Sequence, residues 1–425
     1  MTGPKLIDRP DGARLFLRPN GPIDAPGFLA DTHALAPRLP PAPFLINLCH
    51  DRYRFMVAFA AALVAGRVSL LCGDPSPALL DALKTAYPGA HPLTDDDVQT
   101  PNPPNHHNPT IPGDRLAALV FTSGSTAAPI AHPKTWGELV QRSRAAGLRF
   151  ALNEAAPATI AGTVPPGHMY GFETTAILPL HAACASWCGP SFFPADVAAA
   201  LHAAPSPRIL VTTPLQLRTL LDTPLPALAC CISATAPLDP ALAAAAEQRW
   251  QAPVLEIFGA TECGSIASRR TTDGDRWTPY PGTTLRADGD TILACSADAP
   301  PVPLADEVQL DPDGRFRLLG RRTDLVKLGG RRASLAGLNQ ILTALDGVDD
   351  GLFVVPDDLD QRSTARLLAL VVAPARSAPS ILAELRHRMD PVFLPRRVVH
   401  VDALPRNALG KLPRQAILDL LAQSR

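Results

Sequence analysis

Neither sign of charge prevails in this chain. The 39 lysines and arginines face 40 aspartates and glutamates, and charged residues are only 19% of the 425. Without a basic excess there is nothing to track a nucleic-acid backbone, and that class of partner is excluded. Metal-type cysteine spacing is missing too. Cys49, Cys72, Cys184, Cys188, Cys230, Cys231, Cys263 and Cys295 form no Cys-x-x-Cys pair and no zinc-like Cys/His set. Several fall inside apolar runs, so buried thiols in a reducing compartment are expected. No apolar run spans a membrane cleanly, because residues 55–72 are interrupted by Gly66 and Arg67. The opening MTGPKLIDRPDG lacks the apolar core of a signal peptide. A cytoplasmic protein without a membrane span is therefore expected. The 47 prolines follow no fibrous period, and no internal repeat is evident.

What is present is a hydrophobic content of 46%, enough for sizeable cores, in a chain too long for one of them. Residues 13–17 read as part of a hairpin. Residues 54–65 read as a buried helix stopped by Gly66, and 68–72 as a strand. Residues 95–114 hold several Pro and Asn around His106-His107, either a metal pair or a solvated linker. An apolar run over 116–120 then ends abruptly in Phe121-Thr122-Ser123-Gly124-Ser125-Thr126. A buried strand feeding a loop of hydroxyls and accessible N–H groups suits an anionic phosphate, and equally an ordinary surface turn. No Gly-Lys-Ser/Thr closes it, so it is not a Walker A loop.

Periodicity predicts a helix over 134–150, with Leu139, Val140 and Leu148 on its apolar side. Strands over 159–164, 208–211, 228–232 and 254–258 then alternate with helices over 170–183, 215–221 and 240–249. Such alternation indicates a mainly parallel sheet covered on both faces, with ligands at the carboxyl ends of its strands. From Thr271 the pieces shorten around Asp288-Gly289 and Asp313-Gly314, as in an antiparallel or barrel-like subdomain. Helices over 334–346 and 378–389, with strands over 351–355, 367–373 and 398–402, make a tail long enough for a small domain. The expected fold is α/β: an N-terminal core over 1–320 of parallel-sheet subdomains plus a β-rich one, and a small α+β domain over 321–425.

Three further motifs carry chemistry. In Glu256-Ile257-Phe258-Gly259-Ala260-Thr261-Glu262 a strand ends on an aromatic and presents a hydroxyl beside a carboxylate. Magnesium bound to a nucleotide needs such oxygen ligands, although an acidic helix start would look the same. Asp306 precedes Gly320-Arg321-Arg322-Thr323-Asp324, and Lys411 ends Pro405-Arg406-Asn407-Ala408-Leu409-Gly410-Lys411. Taken alone, Lys411 reads as a surface charge. In this order and at these separations, the motifs resemble the acyl-adenylate-forming superfamily: acyl- and aryl-CoA synthetases, adenylation domains and luciferases. The similarity runs from about Phe55 to the end.

That resemblance implies ATP and Mg²⁺ as cofactors and assigns roles. Thr122, Ser123, Gly124, Ser125 and Thr126 would hold the β- and γ-phosphates. Phe258, followed by Gly259, would stack on adenine, and the Ser233-Ala234-Thr235-Ala236-Pro237 loop would pack beside it. Thr261 would contact the α-phosphate and Glu262 would be the metal ligand. Asp306, with Arg321, would bind the ribose, and Lys411 would bridge the substrate carboxylate and the ribose–phosphate side. His168, in His168-Met169-Tyr170-Gly171, would gate the acyl pocket, or else cap a helix. The small domain would be mobile, rotating between two half-reactions about Thr323.

Departures from the family pattern are concentrated at the phosphate loop. Ala127 stands for its glycine and Ile130 for its lysine, a function that Lys134 takes or that is dispensable. Leu304-Ala305-Asp306 replaces Thr-Gly-Asp, and the N-terminal region is short. Such compact members resemble ligases that load an aryl or fatty acid onto holo-acyl carrier protein, as in aryl-polyene and xanthomonadin-type pigment pathways with a hydroxybenzoate starter. A synthetase using free CoA is the alternative, and a degenerate nucleotide-binding homologue the third.

Overall fold

Residues 52–64 are apolar on nearly every side, and a helix of that kind has to be buried all round. In the computed structural model the helix Arg52–Val64 is just that, capped by Asp51, whose side chain accepts from the Arg54 N–H at 2.9 Å. Phe59 meets Phe172 edge-on at 5.0 Å, and each such fully buried side chain contributes roughly 1.5–3 kcal/mol. The structure describes residues 3–73, 75–99, 107–122, 130–289, 291–297, 299–321, 325–328, 331–355, 366–406, 412 and 414–423. They fall into two compact units, residues 1–286 with 293–302, and 287–292 with 303–425.

Two large sheets of the first unit position the site. One runs in the order His91–Leu93, Phe44–Asn47, Val68–Cys72, Leu116–Thr122, Ile130–Thr135. Its neighbours are parallel except the last pair, which is antiparallel with Thr122 opposite Ile130. The other takes Gly21–Asp24, Arg14–Arg18, Cys184–Trp187, Ala158–Gly162, Arg208–Thr212, Cys230–Ser233, Val254–Ala260, Gly264–Arg270 and Arg276–Pro279 in that order. It is parallel from Arg14–Arg18 through Val254–Ala260 and antiparallel at both ends. The α/β expectation holds, with a parallel sheet that turns antiparallel where the carboxylate motif lies.

Four local readings are corrected. Lys134 lies on the strand Ile130–Thr135, and the helix is Trp136–Arg149. Thr135 caps it by accepting from the Glu138 N–H at 3.3 Å, a Thr-x-x-Glu capping arrangement that fixes the start two residues later than periodicity does. Leu148 is 71% exposed while Leu139 and Val140 are 1% exposed; nine residues from Leu139 is about two and a half turns, so Leu148 faces the opposite side. The helix expected over 170–183 spans Met169–His181 and widens to a π-type turn over Phe172–Ile177. There Thr174 and Thr175 hydroxyls donate to the Tyr170 and Gly171 carbonyls at 2.6 Å. Finally, Thr261-Glu262 starts no helix. It forms the turn of a hairpin in which Ala260 pairs with Gly264.

In the second unit, Asp306–Leu310 pairs antiparallel with Phe316–Arg321, and Leu325–Leu328 with Arg331–Ser334. The helix Leu335–Thr343 follows, then a sheet of Asp350–Val354, Leu368–Val372 and Arg397–His400 with the helix Ala378–Arg388. Leu338, Leu342, Phe353, Val371, Ile381, Leu385 and Phe393 form its core. Among the described residues no helix is long and apolar enough to cross a membrane.

All eight cysteines are free thiols, and only Cys295 is not buried. Burial pushes the Cys49, Cys184, Cys188 and Cys230 thiols up to about 12, and Cys72 and Cys263 to about 11. Thiolate, the reactive form, is then scarce at neutral pH. Titration with a chromogenic disulfide at pH 8 is expected to count one rapidly reacting thiol in the native protein, Cys295, and all eight in denaturant. Two or more fast native thiols would contradict this packing.

Candidate active site

At the carboxyl end of the parallel strands, the strand Val254–Ala260 brings Phe258 to the edge of the core, 9% exposed, its ring 5.6 Å from Trp277. Trp277 in turn lies under the Arg269 guanidinium at 4.6 Å, and Arg269 pairs with Glu256 at 2.7 Å. Glu256 is 3% exposed, yet it is fully used: it also accepts from the Leu238 N–H at 2.8 Å and the Thr271 hydroxyl at 3.1 Å. One buried carboxylate thus fixes the loop after Cys230–Ser233 against the aromatic strand. Gly259 follows Phe258 because nothing larger fits. A Cβ there would stand 2.2 Å from the Gly264 carbonyl oxygen and 2.8 Å from the Ser265 Cα.

The turn Thr261-Glu262-Cys263 sits on this base. Thr261 and Glu262 are half-buried, whereas Cys263 points inward, its thiol donating to the Gly264 carbonyl at 3.4 Å. The accessible donors of the turn are therefore a hydroxyl and a carboxylate, hard oxygens that fit Mg²⁺, while the buried neutral thiol is out of play. From below, the Lys134 ammonium, 1% exposed, donates to the Glu262 carbonyl at 2.8 Å and to Glu138 at 3.2 Å. On the other flank Glu173, buried in the π-type turn, accepts from the Ser265 N–H at 3.0 Å and its hydroxyl at 2.6 Å. Burial raises the Glu173 carboxyl; the Ser265 bonds, Arg142 and Lys134 oppose it. His132, on the same strand as Lys134, is lowered by burial, with Glu262 opposing and Lys134 adding to the shift.

Ser233 ends the neighbouring strand and Ala234 follows it, 0% and 7% exposed. The hydroxyls of Ser233 and Thr235 are buried without a hydrogen-bond partner among the described residues, and Thr235 holds φ at +81°. Two unpaired hydroxyls and a left-handed non-glycine residue at a strand end are costs that a bound ligand would offset. Thr235→Gly is accordingly expected to stabilise the protein by about 1 kcal/mol in thermal melting. The same change is expected to weaken an acyl-adenylate analogue about three- to tenfold, the size of one net hydrogen bond. A variant that melts lower or binds unchanged would remove Thr235 from the site.

His168 stands at the start of the helix Met169–Gly171 without a side-chain cap, so its helix-cap reading is not supported. Its ring packs over Gly73, where an added Cβ would come within 3.1 Å. Thr122 ends its strand opposite Ile130. Ser123, Gly124, Ser125, Thr126, Ala127, Thr323 and Lys411 lie outside the described residues, as does His106. His107 stacks on His33 at 4.9 Å. In the second unit Asp306 is the register partner of Arg321, so the antiparallel pairing brings those two positions together. The flanks of the Lys411 segment are anchored there: Arg406 clasps Asp350 with two bonds of 2.7 Å, and Leu412 packs beside Leu352, Leu370 and Leu404. Glu256 and Glu173 were not foreseen as site residues; an acid inside an apolar run was their only signal.

Comparison with known proteins identifies the family. The family model described as AMP-binding enzyme matches residues 74–297. The chain is 29% identical over 300 residues to a 4-coumarate–CoA ligase of Rhodobacter capsulatus, covering 69% of this chain and 74% of that protein. It is 30% identical over 167 residues to an L-proline–[L-prolyl-carrier protein] ligase of Pseudomonas fluorescens, covering 38% and 33%. Its fold is similar to that of ATP-bound MatB from Rhodopseudomonas palustris, with TM-score 0.79 and 19% identity over 98% of this chain and 97% of that one. Matched over more than half its length by that family model, the chain belongs to the AMP-binding enzymes, ATP-dependent acid–thiol ligases that act through an acyl-adenylate.

Proposed function

We propose that this enzyme activates an aromatic carboxylic acid and passes the acyl group to the phosphopantetheine thiol of an acyl carrier protein. The observation that carries the adenylation half is the Thr261-Glu262 turn, held from beneath by Lys134 and from the side by Glu173, next to Phe258. Phe258 takes adenine, with Ser233, Ala234 and Gly259 beside it. Thr261 holds the α-phosphate and Glu262 the magnesium ion, which supplies charge neutralisation between two anionic reactants. Thr122 and the Ser123–Thr126 stretch take the terminal phosphates; Asp306 and Arg321 take the ribose; His168 gates the acid. Lys411 steadies the charge that develops as the carboxylate attacks the α-phosphate and pyrophosphate leaves. We assign residues 1–320 to binding ATP and acid, and 321–425 to delivering the lysine.

An aromatic acid with a polar substituent, such as a hydroxybenzoate, suits the hydroxyl-bearing strand ends. Thr163 donates to the Thr212 hydroxyl at 3.0 Å and also reaches Gln216, and Thr212 is the register partner of Ser233. A second reading, free CoA as acceptor, is favoured by the similarity to a 4-coumarate–CoA ligase over most of both chains. A matrix of hydroxybenzoates, cinnamates and fatty acids against CoA and holo-acyl carrier protein tests both. Thioester formed faster on the carrier protein supports the first reading, and faster on CoA the second. No thioester on either, with any acid, defeats the proposal.

A further inference from the structure

The sequence lacks a lysine at Ile130 and offers Lys134 four residues on, and the ammonium of Lys134 reaches the main chain of the Glu262 turn. We propose that Lys134 is a positioning residue for the metal end of the nucleotide, its buried ammonium fixing the main chain of the Glu262 turn and so aiming the Glu262 carboxylate. This rests on the adenylation reading above.

The geometry is specific. The side chain of Lys134 is 1% exposed, and its ammonium points at the turn assigned to the metal. It donates to the main-chain carbonyl of Glu262, not to the carboxylate, at 2.8 Å. That carbonyl lies between the strand ends Ala260 and Gly264, where the ladder of the hairpin has stopped and no strand partner is supplied. A charge-assisted bond there is shorter and stronger than a neutral one. Glu138, in the first turn of the capped helix, takes the other bond at 3.2 Å with its side chain only 12% exposed. The cation is thereby neutralised, as a buried charge must be. The Glu262 carboxylate is left half-buried and available.

Two consequences follow from where the lysine is mounted. Its strand, Ile130–Thr135, pairs antiparallel with Leu116–Thr122, the strand that leads into the residues assigned to the terminal phosphates, with Ile130 opposite Thr122. The ammonium therefore ties the segment assigned to the terminal phosphates to the segment assigned to the metal. Glu173 secures the far side of the same turn through Ser265, so the turn is clamped at a carbonyl by a cation and at an N–H by an anion. Loss of the cation frees the aim of Glu262 while leaving the base of the hairpin, held by Glu256 and Arg269, in place.

The test compares Lys134→Met, Lys134→Arg and Glu138→Gln in the full chain, with Mn²⁺ as probe metal. Binding of ATP is measured by calorimetry with Mn²⁺ present and in EDTA, and bound Mn²⁺ by electron paramagnetic resonance. Lys134→Met is expected to weaken Mn²⁺·ATP about tenfold or more, the size of one lost bond to a charged group. Metal-free ATP should change less than about twofold, and the catalytic loss should fall on KM for Mg·ATP rather than on KM for the acid. Lys134→Arg should recover most of the metal-dependent binding. Equal weakening with and without metal, or no weakening in either, overturns the proposal. If Lys134→Met does not fold, Glu138→Gln decides: selective loss of Mn²⁺·ATP supports the role, and equal loss or none overturns it. A wild-type chain that binds neither form of ATP would strike the adenylation reading itself, with the wild type distinguishing the two failures.

Discussion

Lys411→Ala is expected to lower the rate of adenylate formation about 10²–10³-fold, the usual loss when one preorganised donor to a developing charge is removed. Transfer of the acyl group from a supplied acyl-adenylate to thiol should change less than about threefold, because the phosphoryl chemistry is already complete in that substrate. The split between half-reactions is the signature. A positively charged side chain is needed where a carboxylate attacks a phosphate, since both reactants are anions and their repulsion is not screened once water is excluded. The second unit is built to hold that segment at its ends: Arg406 on Asp350 before it, Leu412 in an apolar cluster after it. Removing only the charged tip should leave melting of the protein unchanged. Stopped-flow measurement of pyrophosphate release, beside thioester formation from synthetic adenylate, checks both halves. Equal loss in the two would contradict the assigned role.

For Glu262→Ala, the magnesium concentration giving half-maximal adenylation is expected to rise about ten- to a hundredfold, in line with losing one charge-assisted ligand. KM for the acid should stay within about twofold. The fold of the turn should survive, because Lys134 grips the Glu262 main chain and Glu173 grips Ser265, and neither bond uses the deleted carboxylate. Thermal melting without ligand is accordingly expected to be unaltered. A variant whose magnesium titration overlays the wild type would remove Glu262 from the site, and one that no longer melts cooperatively would show the carboxylate to be structural.

Much of the scaffold was legible in the sequence because it follows from period and punctuation. The helix expected over 215–221 is Pro214–Leu220, and the strand over 208–211 is Arg208–Thr212, each bounded by proline or hydroxyl residues. The strand Ile130–Thr135 was not legible, and Pro133 is the reason. Proline inside a run argues against a strand except at a sheet edge, and this strand is the last of its sheet. Missing it misplaced Lys134, whose partner Glu262 is 128 residues away. Glu173 and Glu256 stayed hidden for a related reason. A lone acid in an apolar run looks like a loss of pattern until its partners are known, here Ser265 at 92 residues' distance and Arg269 directly across the hairpin. The site motifs were readable as an ordered set, whereas the bonds that support them come from register and tertiary contact.

The measurement that tests the central claim most directly is exchange of labelled pyrophosphate into ATP with Mg²⁺ and a panel of aromatic acids, in the absence of any thiol. Reversible adenylate formation requires exchange that depends on the acid and on Mg²⁺ but not on CoA or carrier protein. Exchange absent with every acid, or appearing only when a thiol is added, would contradict the account.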